Sequence, residues 1–251
     1  MNLQEDSFIS HLVELRDRLI KAIISVAVIF IILFLYPGAS AIYDLLAQPM
    51  LATLPPGTRM IATGVITPFM VPVKVTMMAA FVVALPVVLY QAWSFVAPGL
   101  YIHEKKLAIP LIVSSTLLFI MGMAFCYFFV FKTVFHFIAT FAPQSITPAP
   151  DIEAYLNFVM TMFLAFGLTF EVPIAVILLV KTGVVTVQKL AAARGYVVVG
   201  AFVIAAVVTP PDVVSQFMLA VPLCLLFELG LLVARFMKKK EPTENAVVEK
   251  N

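Results

Sequence analysis

From Leu107 to Phe131 the sequence carries no charged side chain. A soluble fold of this size has too little core for repeated stretches of that kind. A bilayer needs about 20 apolar residues per helical crossing, with roughly 17–25 tolerated. By that ruler the chain has apolar runs near Ile20–Tyr36, Val75–Val96, Leu107–Phe131, Tyr155–Val180, Gly195–Val208 and Val213–Phe236. Composition agrees: 63% of its residues are hydrophobic and 12% charged, against about 45–50% and about 25% in soluble domains. The expected class is an all-α integral membrane protein, with a single six-helix membrane domain over residues 1–237.

The fifth run is too short for a standard bilayer and is followed at once by Thr209-Pro210-Pro211-Asp212, a strong turn signal. The last two runs therefore read as a short hairpin that thins the membrane or stops short of the far surface. Lys and Arg placement sets the orientation. With the N-terminus in the cytoplasm and six crossings, Arg59, Lys74 and Lys132 fall outside, and the other thirteen of the sixteen Lys and Arg fall inside. Both termini are then cytoplasmic. The tail 238–251 reads as solvated and disordered.

Ala39-Ser40-Ala41 is similar to a signal-peptidase site. The preceding segment carries Glu5, Asp6, Glu14 and Asp17, unlike a basic leader, and retention is expected. Phe8, Leu12, Leu15 and Leu19 sit at helical spacing, which predicts an amphipathic helix on the cytoplasmic surface feeding the first span. The outer connections are dense in proline: Pro49, Pro55, Pro56, Pro68 and Pro72 in the first, Pro143, Pro148 and Pro150 in the second. Proline resists regular helix, so these read as rigid caps, with one short interfacial helix around Ile42–Leu46.

No nucleotide-binding or hydrolase motif is present, and no carboxylate pair or Ser/Lys dyad is suggested within the spans. Cys126 and Cys224 lie in apolar runs without metal-ligand spacing, so no metal or cofactor is expected. Nor does the charge of +2 provide a basic field for nucleic acid. What remains is polar residues placed where they are costly. Glu171 lies in the middle of the fourth run, where a charge costs several kcal/mol and usually faces a cavity or partner. Gln216 and Glu228 in the last run are weaker cases. By charge alone, Glu104 reads as a solvated loop acid beside two lysines, and Glu14 as half of an i,i+4 pair with Arg18.

Five stretches together carry a resemblance: His11-Leu12-Val13-Glu14-Leu15-Arg16-Asp17-Arg18, the segment Gln91 to Tyr101, His103-Glu104-Lys105-Lys106, Ala165 to Pro173, and Thr209 to Gln216. In this order they resemble the TatC family, the core subunits of the twin-arginine protein translocase, over all but the tail. The resemblance implies a bacterial inner-membrane receptor for the paired arginines of signal peptides on folded cargo. Export would run on the proton-motive force, alongside single-span TatA and TatB partners and further copies of the chain in the assembly. It assigns signal-peptide binding to Glu14, Arg16, Arg18, Phe95 and Glu104, and a place on the concave interior to Glu171. Thr209, Asp212 and Gln216 match partner-docking positions, and Pro49 the outer cap. A carboxylate suits such a receptor, because guanidinium binds it through a two-point fork that lysine cannot copy. Gly64, Asp17 and the base-poor Ala191–Arg194 loop depart from the family pattern. The rival class is a small-molecule or ion secondary transporter, hinted at only by Glu171 beside Pro173.

Overall fold

The computed structural model describes residues 3–52, 60–96, 105–141 and 149–238. Among them the regular structure is helical, joined by a single parallel bridge between Ile61 and Asp151. The helices are α1 (Leu3–Leu33), α2 (Ala39–Leu51), α3 (Thr67–Val96), α4 (Lys105–Phe125), α5 (Phe131–Phe141), α6 (Ile152–Lys181), α7 (Val187–Ala192), α8 (Arg194–Val208) and α9 (Val213–Lys238). A π-helical turn, Cys126–Val130, joins α4 to α5, so the two form one long element.

The helices overlap the apolar runs, but several of their boundaries differ from the runs. The expected surface helix and first span are one continuous helix, α1. Leu12, Leu15 and Leu19 all point away from the bundle, while Glu14, Arg18, Ala22, Val26 and Phe30 form its less exposed stripe. That stripe lies at helical spacing, and α1 packs on α3. The chain breaks at Tyr36, whose φ of −153° is extended, and turns through Gly38 at φ 96°, a left-handed value that favours glycine.

The first outer connection is far more helical than its prolines suggest. α2 runs through Pro49, and α3 begins at Thr67 rather than near Val75. Pro68 sits in the first turn of α3, where its missing N–H costs nothing. Pro49 lies in the last turn of α2, and its ring leaves the Leu45 carbonyl without the usual donor. Tyr127 supplies one, its hydroxyl donating to Leu45 O at 3.0 Å, and the Tyr155 hydroxyl donates to Leu46 O at 2.9 Å. Two tyrosines from other helices thus fasten α2 across the end of the bundle.

Among the described residues five elements are long and apolar enough to cross a membrane, and α8, at 15 residues, is not. At 1.5 Å per residue α8 reaches roughly 22 Å, short of a hydrocarbon core of about 30 Å. The expectation that both last helices are short holds for α8 only; α9 has 26 residues. The central element is α6: half of its apolar stretch is buried within the protein, against a third or less for the other crossing helices. It packs on α4 and α9. At the α4 crossing, a Cβ on Gly122 would lie 2.5 Å from the Phe166 carbonyl oxygen, so the backbones approach as closely as glycine permits. Around that contact Phe125, Phe166 and Phe170 form an aromatic cluster, and Phe131, Phe135 and Tyr155 continue it.

Polar caps set the helix starts. Asp151 begins α6 by accepting from the amides of Glu153 and Ala154, both at 2.9 Å, and Asp212 begins α9 by accepting from Ser215 N at 2.7 Å. Asp151 also accepts from Thr63 N and Thr63 Oγ1, while Glu153 accepts from Lys74 Nζ at 2.8 Å. The segment before α3 is thereby tied to the start of α6. These amide and hydroxyl donors hold the Asp151 carboxyl below its ordinary value, the Ala154 amide most of all.

Candidate functional site

The face carrying the start of α1 and the end of α3 brings together residues separated by most of two crossings. Arg18 Nε and Nη2 donate to Glu14 Oε1 at 2.9 and 2.5 Å, the pair expected from sequence spacing. The other Glu14 oxygen, Oε2, lies 3.9 Å from His11 Nδ1. The His11 ring stacks on Phe95 with centroids 4.4 Å apart and planes 17° from parallel. Phe95 lies in the last turn of α3, immediately before the segment that holds Glu104. Glu104, residues 97–103, and Pro55, Pro56, Pro143 and Pro148 lie outside the described residues, as does the tail from 239. Arg16 is turned toward Asp17, donating from Nε and Nη2 to Oδ1 at 2.9 and 2.8 Å. The acid that departs from the family pattern therefore partners the arginine beside it.

A second constellation lies inside the bundle. Glu171 is 8% exposed. Its Oε2 accepts from Ser115 Oγ, and Ser115 Oγ accepts in turn from Trp93 Nε1 at 2.9 Å. Glu171 thus binds a hydroxyl on α4 rather than relying on the carbonyl that Pro173 frees. Its Oε1 is buried and has no partner among the described residues. Sequence reasoning missed Ser115 and Trp93, although three consecutive hydroxyls (Ser114, Ser115, Thr116) in a crossing segment and the only tryptophan were signals in plain view.

The third group behaves differently. Thr209 is buried and donates to Ala205 O at 2.8 Å, Asp212 is the α9 cap, and Gln216 is half-buried one turn further on. Two of the three have structural work in forming the turn between α8 and α9. Glu228 pairs with Arg194, whose Nε and Nη2 donate to Oε1 and Oε2 at 2.5 and 2.8 Å. Pro49 lines a 600 Å³ pocket at the opposite end, with Gln48, Tyr127, Lys132 and His136. Among the described residues no three His, Cys, Asp or Glu side chains gather closely enough to hold a metal ion.

Fold and site together define a polytopic, helical membrane protein with a polar patch on one face and a buried, hydrogen-bonded acid, Glu171, at its core. A family model described as Sec-independent protein translocase protein (TatC) matches residues 10–222, and the chain belongs to that family. It is a protein-translocation subunit and not an enzyme. The Sec-independent protein translocase protein TatC of Halothiobacillus neapolitanus is 51% identical over 242 residues, covering 96% of this chain and 66% of the relative. That of Haemophilus influenzae is 50% identical over 244 residues, covering 97% and 94%. A crystal structure titled as the twin arginine translocase receptor TatC superposes with a TM-score of 0.79 at 38% identity, covering 91% of this chain and 99% of that one. A second, of the same receptor in DDM, gives 0.79 and 38% over 89% and 99%.

Proposed function

We propose that this chain is the signal-peptide receptor and core subunit of a twin-arginine translocase, exporting folded proteins on the proton-motive force. The observation that carries this reading is the stack of His11 on Phe95. It joins two motifs far apart in sequence into one patch, at the mouth of the segment that contains Glu104. Within that patch Arg18 takes Glu14 Oε1, while Oε2, 3.9 Å from His11 Nδ1 among the described residues, is the oxygen offered to an incoming guanidinium. Glu14, Arg16, Arg18, Phe95 and Glu104 form the signal-peptide site. Glu171 is the acid of the concave interior, and Thr209, Asp212 and Gln216 shape the turn where TatA- and TatB-type subunits dock. Pro49 holds the outer cap. Copies of the chain associate in the assembled complex, and the membrane is the bacterial inner membrane. Both termini are cytoplasmic, in keeping with the excess of Lys and Arg on that side.

The test is photocrosslinking of a twin-arginine signal peptide, and of the same peptide with twin lysine, in membrane vesicles containing the full chain. Crosslinks at Phe95 and near Glu104 that vanish with twin lysine, and on Glu104→Ala, are expected. Equal labelling by both peptides would overturn the assignment.

A further inference from the structure

Trp93, Ser115 and Glu171 stand on three different helices, α3, α4 and α6, and their polar atoms meet in one line. The indole has a donor and no acceptor, so its N–H must give to Ser115 Oγ. A serine hydroxyl has one hydrogen, and with the indole on a lone pair that hydrogen goes to Glu171 Oε2. With Glu171 ionised, the order of donors is fixed along the line, from Trp93 to Ser115 to Glu171 Oε2. Ser115 is fully buried and has both contacts satisfied, while Glu171 Oε1 has none among the described residues.

We infer that Ser115 and Trp93 are positioning residues for Glu171, holding its carboxyl by one oxygen and keeping Oε1 as the open atom used in translocation. The inference rests on the reading of Glu171 as part of the translocation site. Geometry gives it a further consequence. Trp93 occupies the same final turn of α3 as Phe95, which stacks on His11. A signal peptide that displaces this turn reaches Glu171 through two hydrogen bonds, Trp93 to Ser115 and Ser115 to Glu171. The carboxyl is thereby placed within mechanical reach of the receptor patch.

Trp93 is the only tryptophan in the chain, so its emission reports on this line alone. The experiment uses the full chain in lipid nanodiscs, with Ser115→Ala, Ser115→Thr, Trp93→Phe and Glu171→Gln. Infrared difference spectra against Glu171→Gln identify the Glu171 carboxyl band. Ser115→Ala is expected to shift both that band and the Trp93 emission. Ser115→Thr, which keeps a hydroxyl, should leave both near their original positions, and Trp93→Phe should shift the band. In vesicles with the partner subunits, Ser115→Ala should lose cargo transport as Glu171→Gln does, with signal-peptide crosslinking retained. Unchanged spectra in Ser115→Ala, or equal shifts in Ser115→Ala and Ser115→Thr, would overturn the inference. Normal transport by Glu171→Gln would instead sink the role of Glu171 itself, while the spectra still decide the hydrogen-bond order.

Discussion

The Tyr127 hydroxyl donates at 3.0 Å to the carbonyl of Leu45, the acceptor that Pro49 leaves vacant inside α2. The proline and the tyrosine are therefore complementary. Tyr127→Phe is expected to destabilise the chain by about 0.5–1.5 kcal/mol, the usual net worth of one hydrogen bond. The same change should cost less in a Pro49→Ala background, where residue 49 regains an N–H for Leu45 O. A double-mutant cycle on unfolding in detergent measures the difference; strictly additive effects would mean that the two residues act separately.

At the α4–α6 crossing, Gly122→Ala should destabilise by about 1–3 kcal/mol, the cost of overpacking against atoms that cannot move aside. The clash is with the Phe166 carbonyl at 2.5 Å, part of the backbone. Gly200→Ala is the control, because nothing lies within 4 Å of a Cβ there. Thermal unfolding of the two variants side by side separates crowding from helix propensity, which favours alanine at both sites.

The Asp151 carboxyl has a folded-state value below its unfolded one. Its contribution is therefore complete above the unfolded value, about 3.9, and drains away as pH falls through that value toward the folded one. Stability should decline on acidification through this window, and Asp151→Asn should flatten the decline. A profile in Asp151→Asn with the slope of the parent would show that other carboxylates govern it.

Glu14 separates a structural role from a binding one by magnitude. An i,i+4 pair contributes about 0.2–0.5 kcal/mol to a helix, so Glu14→Gln should barely move the unfolding transition. Signal-peptide crosslinking should nonetheless fall clearly. Binding that drops only in proportion to stability would leave Glu14 with the bland role of partner to Arg18.

Arg194 and Glu228 share two parallel hydrogen bonds but are each nearly half exposed. Solvent screening limits such a pair to about 0.2–1 kcal/mol. Arg194→Lys should remove the fork and most of that coupling, measured as an interaction energy between Arg194→Lys and Glu228→Gln.

The crossing helices were legible because hydropathy reports the solvent directly. Their ends were not, and the reason is proline. Pro68 and Pro72 read as loop, yet the first sits in a helical first turn, and the carbonyl of the second is taken by Thr76 Oγ1 at 2.8 Å. Pro49 read as loop because the tyrosines that complete its helix are remote in sequence. The site divides in the same way. Glu171 declared itself through the cost of a carboxyl in an apolar run, and Glu14 with Arg18 through helical spacing. Ser115 lies 56 residues from the acid it binds, and that pairing depends on the rotation of α4 against α6. No local pattern encodes such a rotation. The last run, Val213–Phe236, already had a crossing length; grouping it with the fifth as short was the misreading, since only α8 is short.

The bridge at Ile61 and Asp151 also bears on the order of assembly. Ile61 N donates to Pro150 O at 3.0 Å and Ile152 N to Ile61 O at 2.9 Å, so the chain between them, with α3, α4 and α5, is fastened into a closed loop. A chain made from its N-terminus cannot close that loop until the start of α6 has been delivered to the same side as Ile61. The bridge thus divides the chain by topology: α3, α4 and α5 lie within the loop it closes, while α8 and α9 lie beyond it.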